Sequence, residues 1–254
     1  MPGRFEKKVV VVTGSTAGIG LAIAERVLQE GGTCVISSRK ADSVEATVQR
    51  LVKEHPGRVT GCPCHVGTDA DLQRLVQHAA DTHGQIDGLV MNAAVSPPQP
   101  GMLETSGELF DKVISVNVKS YMLLAQLAVP HMRKPGGSMV LISSVGGYAP
   151  AAPHPIYGLS KTALFGLTKS LAAELGADGV RVNCCAPGMI KTKFSKPIWA
   201  VPEIEQGVAS RTMLGRLGEA KEIAGAVAFL LSEDAGYVTG ETLVAAGGMG
   251  ASRL

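Results

Sequence analysis

The sequence predicts a single α/β domain over residues 1–254, with a doubly wound parallel sheet of about seven strands and helices on both faces. Apolar, β-branched runs alternate along the whole chain with segments of helical periodicity, as in successive β-α-β units. A glycine-rich turn joins the first such run to the first helix. The chain has 254 residues, 45% of them apolar, so it can bury one core of this kind, and no repeat or linker divides it.

The first strand is predicted at residues 8–12, and the turn TGSTAGIG at residues 13–20 leads from it into a helix. Strand, glycine-rich turn and helix together are typical of the Rossmann-type dinucleotide-binding unit, in which the helix N-terminus receives a pyrophosphate. The spacing is G-x-x-x-G-x-G rather than G-x-G-x-x-G, and a turn that binds nothing remains the alternative. The candidate cofactor residues of this turn are Gly14, Ser15, Thr16, Gly18, Ile19 and Gly20.

The second strand, residues 33–37, runs into Ser38, Arg39 and Lys40. An acidic residue here would bind the ribose 2′-hydroxyl of NAD, and the sequence has none. Arg39 and Lys40 suit a 2′-phosphate, and charge-assisted hydrogen bonds of about 1.5–3 kcal/mol imply roughly a 10- to 150-fold preference for NADP. The alternative is that both are solvated charges at the end of a strand. We predict NADP, as NADPH, as the cofactor.

The middle of the chain continues the alternation of strands and helices. Helices are expected at residues 42–54 and 69–83, and strands at 59–65 and 86–91, the latter running into Asn92 and Ala93. A proline-rich loop at residues 96–101 is followed by one long helix at 106–132 that contains Asn117. An asparagine inside a helix is more often a packing or kink residue than a functional one.

Ser144, Tyr157 and Lys161 are the candidate catalytic residues. Ser144 follows a strand at 138–143, and Tyr157 and Lys161 leave the same face of a helix that begins near Pro155. An ammonium about 4 Å from the phenol would lower its pKa from about 10 toward neutrality, and Ser144 would donate a hydrogen bond to the developing oxyanion. The alternative is an ordinary helix start with a solvated lysine.

The last third of the chain has a strand at 180–186, a helix at 221–231 and a strand at 241–246. Pro187 and Gly188 end the first of these strands, and residues 189–218 show little periodicity. A long irregular segment with apolar side chains is typical of a substrate lid, and a surface loop without function is the alternative. The apolar residues that favour a lid are Phe194, Ile198, Trp199 and Met213.

Composition excludes several classes of function. A net charge of +2 without basic blocks gives no footprint for nucleic acid, and the longest apolar stretch noted, residues 223–231, is too short to span a membrane. The N-terminal apolar run enters the glycine-rich turn directly, so no secretory leader is expected. Five cysteines indicate free thiols in a reducing compartment. The run Cys62–His65 lacks a second ligand pair, so strand residues are favoured over zinc and no metal is expected.

In their order and spacing, these motifs resemble the classical short-chain dehydrogenase/reductase family from about residue 7 to residue 248. The resemblance implies that Tyr157 is the proton donor or acceptor, that Lys161 lowers its pKa and holds the nicotinamide ribose, and that Ser144 polarises the carbonyl. It also implies that Asn117 anchors a proton-relay water through a kinked helix. The residues it places around the nicotinamide carboxamide are Pro187, Gly188, Ile190 and Thr192.

Two positions depart from the family pattern. The usual Asn-Asn-Ala-Gly is Met91-Asn92-Ala93-Ala94 here, which keeps the cofactor-facing Asn92 and Ala93. The acidic residue that usually meets the adenine is His65, followed by Val66, so we expect adenine contact through His65 or the Val66 backbone.

Five further motifs resemble the peroxisomal NADP-dependent carbonyl reductases and retinol dehydrogenases within this family. They are Ser37–Lys40, Cys64–Gly67, Ser160–Leu164, Ile190–Thr192 and the C-terminal Ser252–Leu254. The C-terminal Ser252-Arg253-Leu254 is a conservative variant of the peroxisomal S-K-L address; without it a cytoplasmic protein is expected. The resemblance implies a small-molecule carbonyl substrate, such as an aromatic ketone, an α-dicarbonyl or retinal, and a homotetramer. A 3-oxoacyl thioester reductase and a catalytically weak NADPH-binding regulatory protein are the alternatives.

Overall fold

A seven-stranded parallel sheet forms the centre of the protein in the computed structural model, which describes residues 3–98, 101–151 and 153–249. Its strands, in chain order, are β1 (Val9–Thr13), β2 (Thr33–Ser38), β3 (Val59–Pro63), β4 (Gly88–Met91), β5 (Ser138–Ile142), β6 (Arg181–Pro187) and β9 (Thr242–Ala245). Strands β7 (Ile190–Lys191) and β8 (Gly218–Glu219) pair separately. The strand order is β3-β2-β1-β4-β5-β6-β9, and every pairing in it is parallel. The predicted fold class is confirmed.

Helices follow the strands as the alternation predicts. In the described part of the chain they are α1 (Gly18–Gln29), α2 (Ala41–Glu54), α3 (Asp69–His83), α4 (Gly107–Ile114), α5 (Ser120–Ala128), α6 (Pro155–Leu175), α7 (Lys196–Trp199), α8 (Pro202–Ala209) and α9 (Ala220–Leu231). Pro155 occupies the first turn of α6, where its fixed φ suits a helix start and its missing N–H costs nothing.

Two hydrophobic cores lie on opposite faces of the sheet, because alternate strand residues point to opposite sides. Val9 and Val11 of β1 pack into the core that includes residues of α3, α5 and α6. Val10 and Val12 pack into the core that includes residues of α1 and α9. Since both faces are covered, the strands are apolar throughout rather than alternating.

Two segments differ from their prediction. The expected helix at 106–132 is interrupted by a π-helical turn, Ser115–Lys119, with Asn117 inside it. Residues 189–218 are not irregular: they contain β7, α7 and α8, and β8 begins at their end. These elements have two, four, eight and two residues, which is too short to produce a periodic pattern in the sequence.

The helical run Gly107–His131 has a mean hydropathy of 1.3 over an 18-residue window, so it meets the length and composition of a membrane span. The sequence analysis overlooked it. Its apolar character has a sufficient cause in the fold, since 44% of that window is buried and Leu124, Ala125 and Ala128 belong to the core against α3 and α6.

The strand order reverses between β1 and β4, which opens a crevice at the carboxyl ends of these two strands. Thr13 ends β1, Met91 ends β4, and Ser144 follows β5 on the other side of β4. The glycine-rich turn and the candidate catalytic residues therefore meet at the same edge of the sheet.

Candidate active site

The glycine-rich turn depends on backbone geometry that only glycine adopts easily. Gly14 and Gly18 have φ values of +64° and +59°. A Cβ on Gly20 would lie 2.4 Å from the Gly14 carbonyl oxygen, so α1 could not approach the turn so closely with any other residue there. The turn is thereby held in one compact conformation at the N-terminus of α1.

Thr13 and Asn92 join this turn to the end of β4. The backbone N–H groups of Asn92 and Ala93 donate to the Thr13 hydroxyl at 2.9 and 3.2 Å. The Asn92 side chain donates to the carbonyl oxygens of Thr13 and Gly14 at 2.9 and 3.2 Å. Asn92 therefore keeps the crevice in shape, although it stands in the altered Met91–Ala94 motif. Thr13 was missed as a site residue, and its only signal was its place as the first residue of TGSTAGIG.

The N-terminus of α1 fits a dinucleotide pyrophosphate. Its N-cap, Ala17, provides no side-chain hydrogen bond, so the first N–H groups of the helix are left without the usual side-chain acceptor. Thr16 and Ile19 flank this position and are partly exposed. The buried Ser15 hydroxyl donates to the Val12 carbonyl oxygen and accepts from the Ser37 N–H, which ties the turn to β2.

The expected ribose and adenine side of the crevice is open. Arg39 and Lys40, just beyond Ser38 at the end of β2, are exposed, and their side chains form no hydrogen bond or ion pair within the described residues. His65 is exposed too; its backbone N–H donates to Asp71, and its Nδ1 accepts from the Gly67 N–H at 3.2 Å. Val66 is partly buried against the core. Two cationic side chains therefore stand exposed just beyond the end of β2.

Ser144 and Tyr157 are brought together, as predicted. The Ser144 hydroxyl caps a short 3₁₀ turn by accepting from the Gly146 N–H at 3.1 Å, and it hydrogen-bonds the phenol of Tyr157. Accepting from Gly146 leaves the Ser144 hydroxyl its own proton to donate and a second lone pair to accept with. The pair can therefore act on one substrate oxygen from two sides.

Lys161 is buried beneath this pair. Its side chain is inside the protein at 1% exposure, and its Nζ donates to the Ile142 carbonyl oxygen at 2.7 Å. The Nζ lies 5.5 Å from the centre of the Tyr157 ring. Burial lowers the pKa of Lys161 to about 8, because the charged form loses its hydration.

Burial acts on the pKa of Tyr157 as well. It raises this pKa to about 12, and the Ser144 hydrogen bond opposes the rise only in part. The sequence analysis placed an ammonium about 4 Å from the phenol. In the fold, Lys161 Nζ donates to the Ile142 carbonyl oxygen and lies 5.5 Å from the centre of the Tyr157 ring, and the lowering of the Tyr157 pKa by Lys161 stays a prediction.

Asn117 is fully buried and connects two elements of the site. Its Oδ1 accepts from the Val95 N–H and its Nδ2 donates to the Val95 carbonyl oxygen, both at 2.9 Å. The Nδ2 also donates to Ser160 Oγ at 3.0 Å, and Ser160 donates to the Tyr157 carbonyl oxygen at 2.7 Å. Ser160, which the sequence analysis did not select as a site residue, is signalled only by its position before Lys161.

Residues 189–218 cover the crevice from the other side. Thr192 is adjacent to the glycine-rich turn, since a Cβ on Gly18 would lie 3.4 Å from the Thr192 side chain. The ring of Phe194 is centred 6.2 Å from the Tyr157 ring and is 59% exposed. Trp199 Nε1 donates to the Thr192 carbonyl oxygen at 2.8 Å. The segment is therefore anchored beside the cofactor position and presents an aromatic ring to Tyr157.

The strand end before this segment is packed tightly. Pro187 ends β6, the Gly188 N–H donates to the Ala245 carbonyl oxygen at 3.0 Å, and a Cβ on Gly188 would lie 2.8 Å from Ala246. Ile190 is buried in β7. The four residues predicted around the carboxamide thus lie in succession at the crevice edge.

A second contact that sequence reasoning missed lies at the start of α6. Ser96 Oγ and His154 Nδ1 are 3.1 Å apart, so the loop after β4 is tied to the N-cap of the helix that carries Tyr157. Both residues are partly buried. No group of three or more His, Cys, Asp or Glu residues within the described ranges could hold a metal ion.

Comparison with known proteins agrees with this geometry. The family model described as enoyl-(acyl carrier protein) reductase matches residues 14–250. The protein named dehydrogenase/reductase SDR family member 4 from Oryctolagus cuniculus is 49% identical over 242 residues, which are 95% of this chain and 93% of that protein. The chain belongs to the short-chain dehydrogenase/reductase family. It is accordingly an oxidoreductase, and its Rossmann fold indicates a nicotinamide dinucleotide cofactor.

Other members of the family are similar over nearly the whole chain. Tropinone reductase-like 3 from Erythroxylum coca is 47% identical over 96% of this chain and 94% of its own length. A crystal structure described as a short-chain dehydrogenase/reductase of the glucose/ribitol dehydrogenase type from Brucella melitensis superposes with a TM-score of 0.92. That protein is 31% identical, and the match covers 98% of this chain and 99% of the other. The fold is therefore that of this oxidoreductase family.

Proposed function

We propose that this protein reduces lipophilic ketones and aldehydes with NADPH, and oxidises the corresponding alcohols in reverse. The observation that carries the proposal is the group of Ser144, Tyr157 and the buried Lys161, in which the serine hydroxyl hydrogen-bonds the phenol and the ammonium lies 5.5 Å from the centre of the Tyr157 ring. Ser144, Tyr157 and Lys161 then have the roles of carbonyl donor, proton donor and phenol-supporting cation.

The chain's own residues supply the proton chemistry of this reaction. The cofactor, when bound, supplies the hydride. Ser144 donates a hydrogen bond to the carbonyl oxygen, which makes the carbon more electrophilic and stabilises the alkoxide that develops. Tyr157 gives its phenolic proton to that oxygen, and the Lys161 ammonium stabilises the phenolate that remains. In alcohol oxidation Tyr157 takes the proton back.

Arg39 and Lys40 support NADPH over NADH. Both are exposed just beyond the end of β2, where dinucleotide-binding folds recognise the ribose 2′-substituent, and neither is neutralised by a carboxylate of the described residues. The glycine-rich turn and the open N-terminus of α1 would hold the pyrophosphate. Asn92, Ala93, Val66 and His65 would border the adenosine side of the same crevice.

An apolar lid supports a lipophilic substrate. We assign residues 189–218 as the substrate segment of one domain that spans residues 1–254. Phe194, on that segment, faces the Tyr157 ring and keeps more than half of its surface free for contact with a substrate. The relatives named dehydrogenase/reductase SDR family member 4 and tropinone reductase-like 3 support a carbonyl as the reacting group. Aromatic ketones, α-dicarbonyls and retinal are the substrates we propose.

The test is loss of NADPH absorbance with a panel of aryl ketones, isatin-like diketones, retinal and acetoacetyl thioesters. We expect turnover with the free carbonyls and a clear preference for NADPH over NADH. Tyr157→Phe should abolish turnover yet bind NADPH as tightly as wild type, and Tyr237→Phe, which changes a fully exposed tyrosine, is the matched control. A Tyr157→Phe enzyme that retains a tenth of the wild-type rate would refute the assignment.

Two alternatives have distinct outcomes in the same panel. A 3-oxoacyl thioester reductase would saturate with the acetoacetyl thioester and not with free ketones, and the acyl carrier protein in the description of the matched family model favours it. A regulatory NADPH-binding protein would bind cofactor and turn over nothing; Ala94 and His65, where the family pattern changes, motivate it.

We further propose that the protein is peroxisomal and tetrameric. Ser252, Arg253 and Leu254 form the targeting tripeptide, and they lie outside the described residues. A fluorescent fusion that ends in this tripeptide should enter peroxisomes, and the same fusion without it should remain in the cytoplasm. Met122 of α5 and Leu159 of α6 are exposed apolar residues on long helices, which supports a homo-oligomer. Light scattering should give the mass of a tetramer.

A further inference from the structure

The ammonium of Lys161 lies near two tyrosine rings, of which only one belongs to the predicted catalytic group. Its Nζ is 5.5 Å from the centre of the Tyr157 ring and 5.7 Å from the centre of the Tyr121 ring. Both distances are within the range in which the negative face of an aromatic ring attracts a cation. Tyr121 lies on α5, which is separated from α6 in the chain by β5, and it is 2% exposed.

Little else compensates the buried charge. An ammonium can donate three hydrogen bonds, and Lys161 donates one within the described residues, to the Ile142 carbonyl oxygen. The titratable groups that face it are Tyr157 on its own helix, Tyr121 on α5 and Cys184 on β6. Burial raises the pKa of Cys184 to about 11 and that of Tyr121 well above its usual value, so both groups are neutral at physiological pH. No carboxylate of the described residues pairs with Lys161.

The ring of Tyr121, rather than its hydroxyl, is the part that meets Lys161. The Tyr121 hydroxyl is fully buried and has no protein hydrogen-bond partner within the described ranges. A buried phenol without a partner is costly for stability, so packing alone would favour phenylalanine at this position. The aromatic face is common to tyrosine and phenylalanine, and it is the only feature of Tyr121 that the structure directs at a charge.

We propose that Tyr121 is a positioning residue that keeps the Lys161 ammonium charged and in place through the face of its aromatic ring. The consequence for catalysis rests on the function proposed above, since Lys161 acts there by stabilising the Tyr157 phenolate. The effect on Lys161 itself is independent of any substrate. It can be measured in the protein without cofactor.

The experiment follows the titration of Lys161 by NMR of ¹³Cε-labelled lysine, with the signal assigned by its loss in Lys161→Met. Tyr121→Leu should lower the pKa of Lys161 by about one unit, because a desolvated cation–π contact is worth about that much. Tyr121→Phe should leave the titration as in wild type. Tyr121→Met serves the same purpose as Tyr121→Leu if the leucine variant does not fold.

Leu124→Ala is the matched control, since Leu124 is a buried core residue of the same helix that has no aromatic face. An equal shift in Leu124→Ala would mean that general loosening of the core moves Lys161, and the proposal would fail. An equal shift in Tyr121→Phe would assign the effect to the hydroxyl, through a bound water for example, and would also overturn it. An unchanged titration in Tyr121→Leu would do the same.

The kinetic arm uses the pH profile of kcat/KM for carbonyl reduction. Tyr121→Leu should move the profile by the same amount as the Lys161 titration, and Tyr121→Phe should restore it. If the wild-type protein reduces no carbonyl, the proposed function fails while the NMR titration still decides the role of Tyr121. If the wild type is active and the titration does not move, only the role of Tyr121 is refuted.

Discussion

The Asn117 carboxamide satisfies both backbone groups of Val95, accepting from its N–H and donating to its carbonyl oxygen at 2.9 Å each. A single buried side chain therefore supplies the two hydrogen bonds that a neighbouring strand would otherwise give to the Val95 backbone. The same Nδ2 reaches Ser160, one residue before Lys161. The π-helical turn around Asn117 positions this side chain between the loop and α6, so one side chain links the loop after β4 to the helix of Tyr157.

Loss of this bridge should destabilise the protein. Asn117→Ala leaves the Val95 N–H and carbonyl unpaired in a buried site, and each such group costs about 1–3 kcal/mol. We expect the free energy of unfolding in urea to fall by about 2–4 kcal/mol in total. Ser160→Ala is the matched control, because it keeps both Val95 hydrogen bonds and should cost about 1 kcal/mol. Equal losses in the two variants would contradict the bridging role.

Arg39 should decide between the two nicotinamide cofactors. In Arg39→Ala we expect the Kd for NADPH to rise roughly 10- to 150-fold and the Kd for NADH to stay unchanged, since only NADPH carries the 2′-phosphate. Thermal stability should not change, because Arg39 makes no hydrogen bond with the described residues. Arg50→Ala, which removes an exposed arginine paired with Glu25 on the neighbouring helix, is the control. A parallel loss of NADH affinity would assign Arg39 to general cofactor binding.

Lys161 should make stability depend on pH in an unusual direction. Its pKa is about 8 in the folded protein and about 10.4 when unfolded, so between these values the unfolded chain binds more protons. Stability contributed by this group must therefore rise as pH increases from about 8 to about 10. Below that window the buried charge lowers the stability of the folded state.

The measurement is the difference in unfolding free energy between wild type and Lys161→Met at several pH values. The methionine variant should be favoured most near pH 7, and its advantage should shrink as the pH approaches about 10. Buried cysteines with raised pKa values make the folded protein less stable as the pH rises over the same range. These cysteines are present in both wild type and Lys161→Met, so their effect cancels in the difference. Lys169→Met, which removes an exposed lysine of the same helix, is the control for the loss of a lysine as such. A constant difference for Lys161→Met would contradict the lowered pKa.

Phe194 should contribute to substrate affinity rather than to proton transfer. Its ring is 59% exposed and lies beside Tyr157, so an apolar substrate that covers it gains about 1–2 kcal/mol. Phe194→Ala should raise KM for an aryl ketone roughly 10-fold with little change in kcat. Tyr237→Ala is the control, because it truncates a fully exposed aromatic residue near the amino end of β6. It should change neither KM nor kcat. A fall in kcat alone would assign Phe194 to positioning Tyr157.

The sequence by itself determined the seven strands of the main sheet and most helices, and it selected Ser144, Tyr157 and Lys161 as catalytic candidates. β-branched runs and glycine spacing are local signals, and Tyr157 and Lys161 share a face because of helix periodicity alone. The short elements between residues 189 and 218 escaped because two to eight residues carry no period.

Only the tertiary structure decided what surrounds each of these groups. Tyr121, 36 residues before Tyr157, comes to the Lys161 ammonium because α5 and α6 pack on the same face of the sheet. Thr13 meets Asn92 because β1 and β4 are neighbours in the sheet, not in the chain. The pKa values of Tyr157 and Lys161 depend mainly on how deeply the fold buries these two side chains. Hydration and neighbouring charge depend on distances in space, so a pattern along the chain could place the catalytic candidates but not set their acidity.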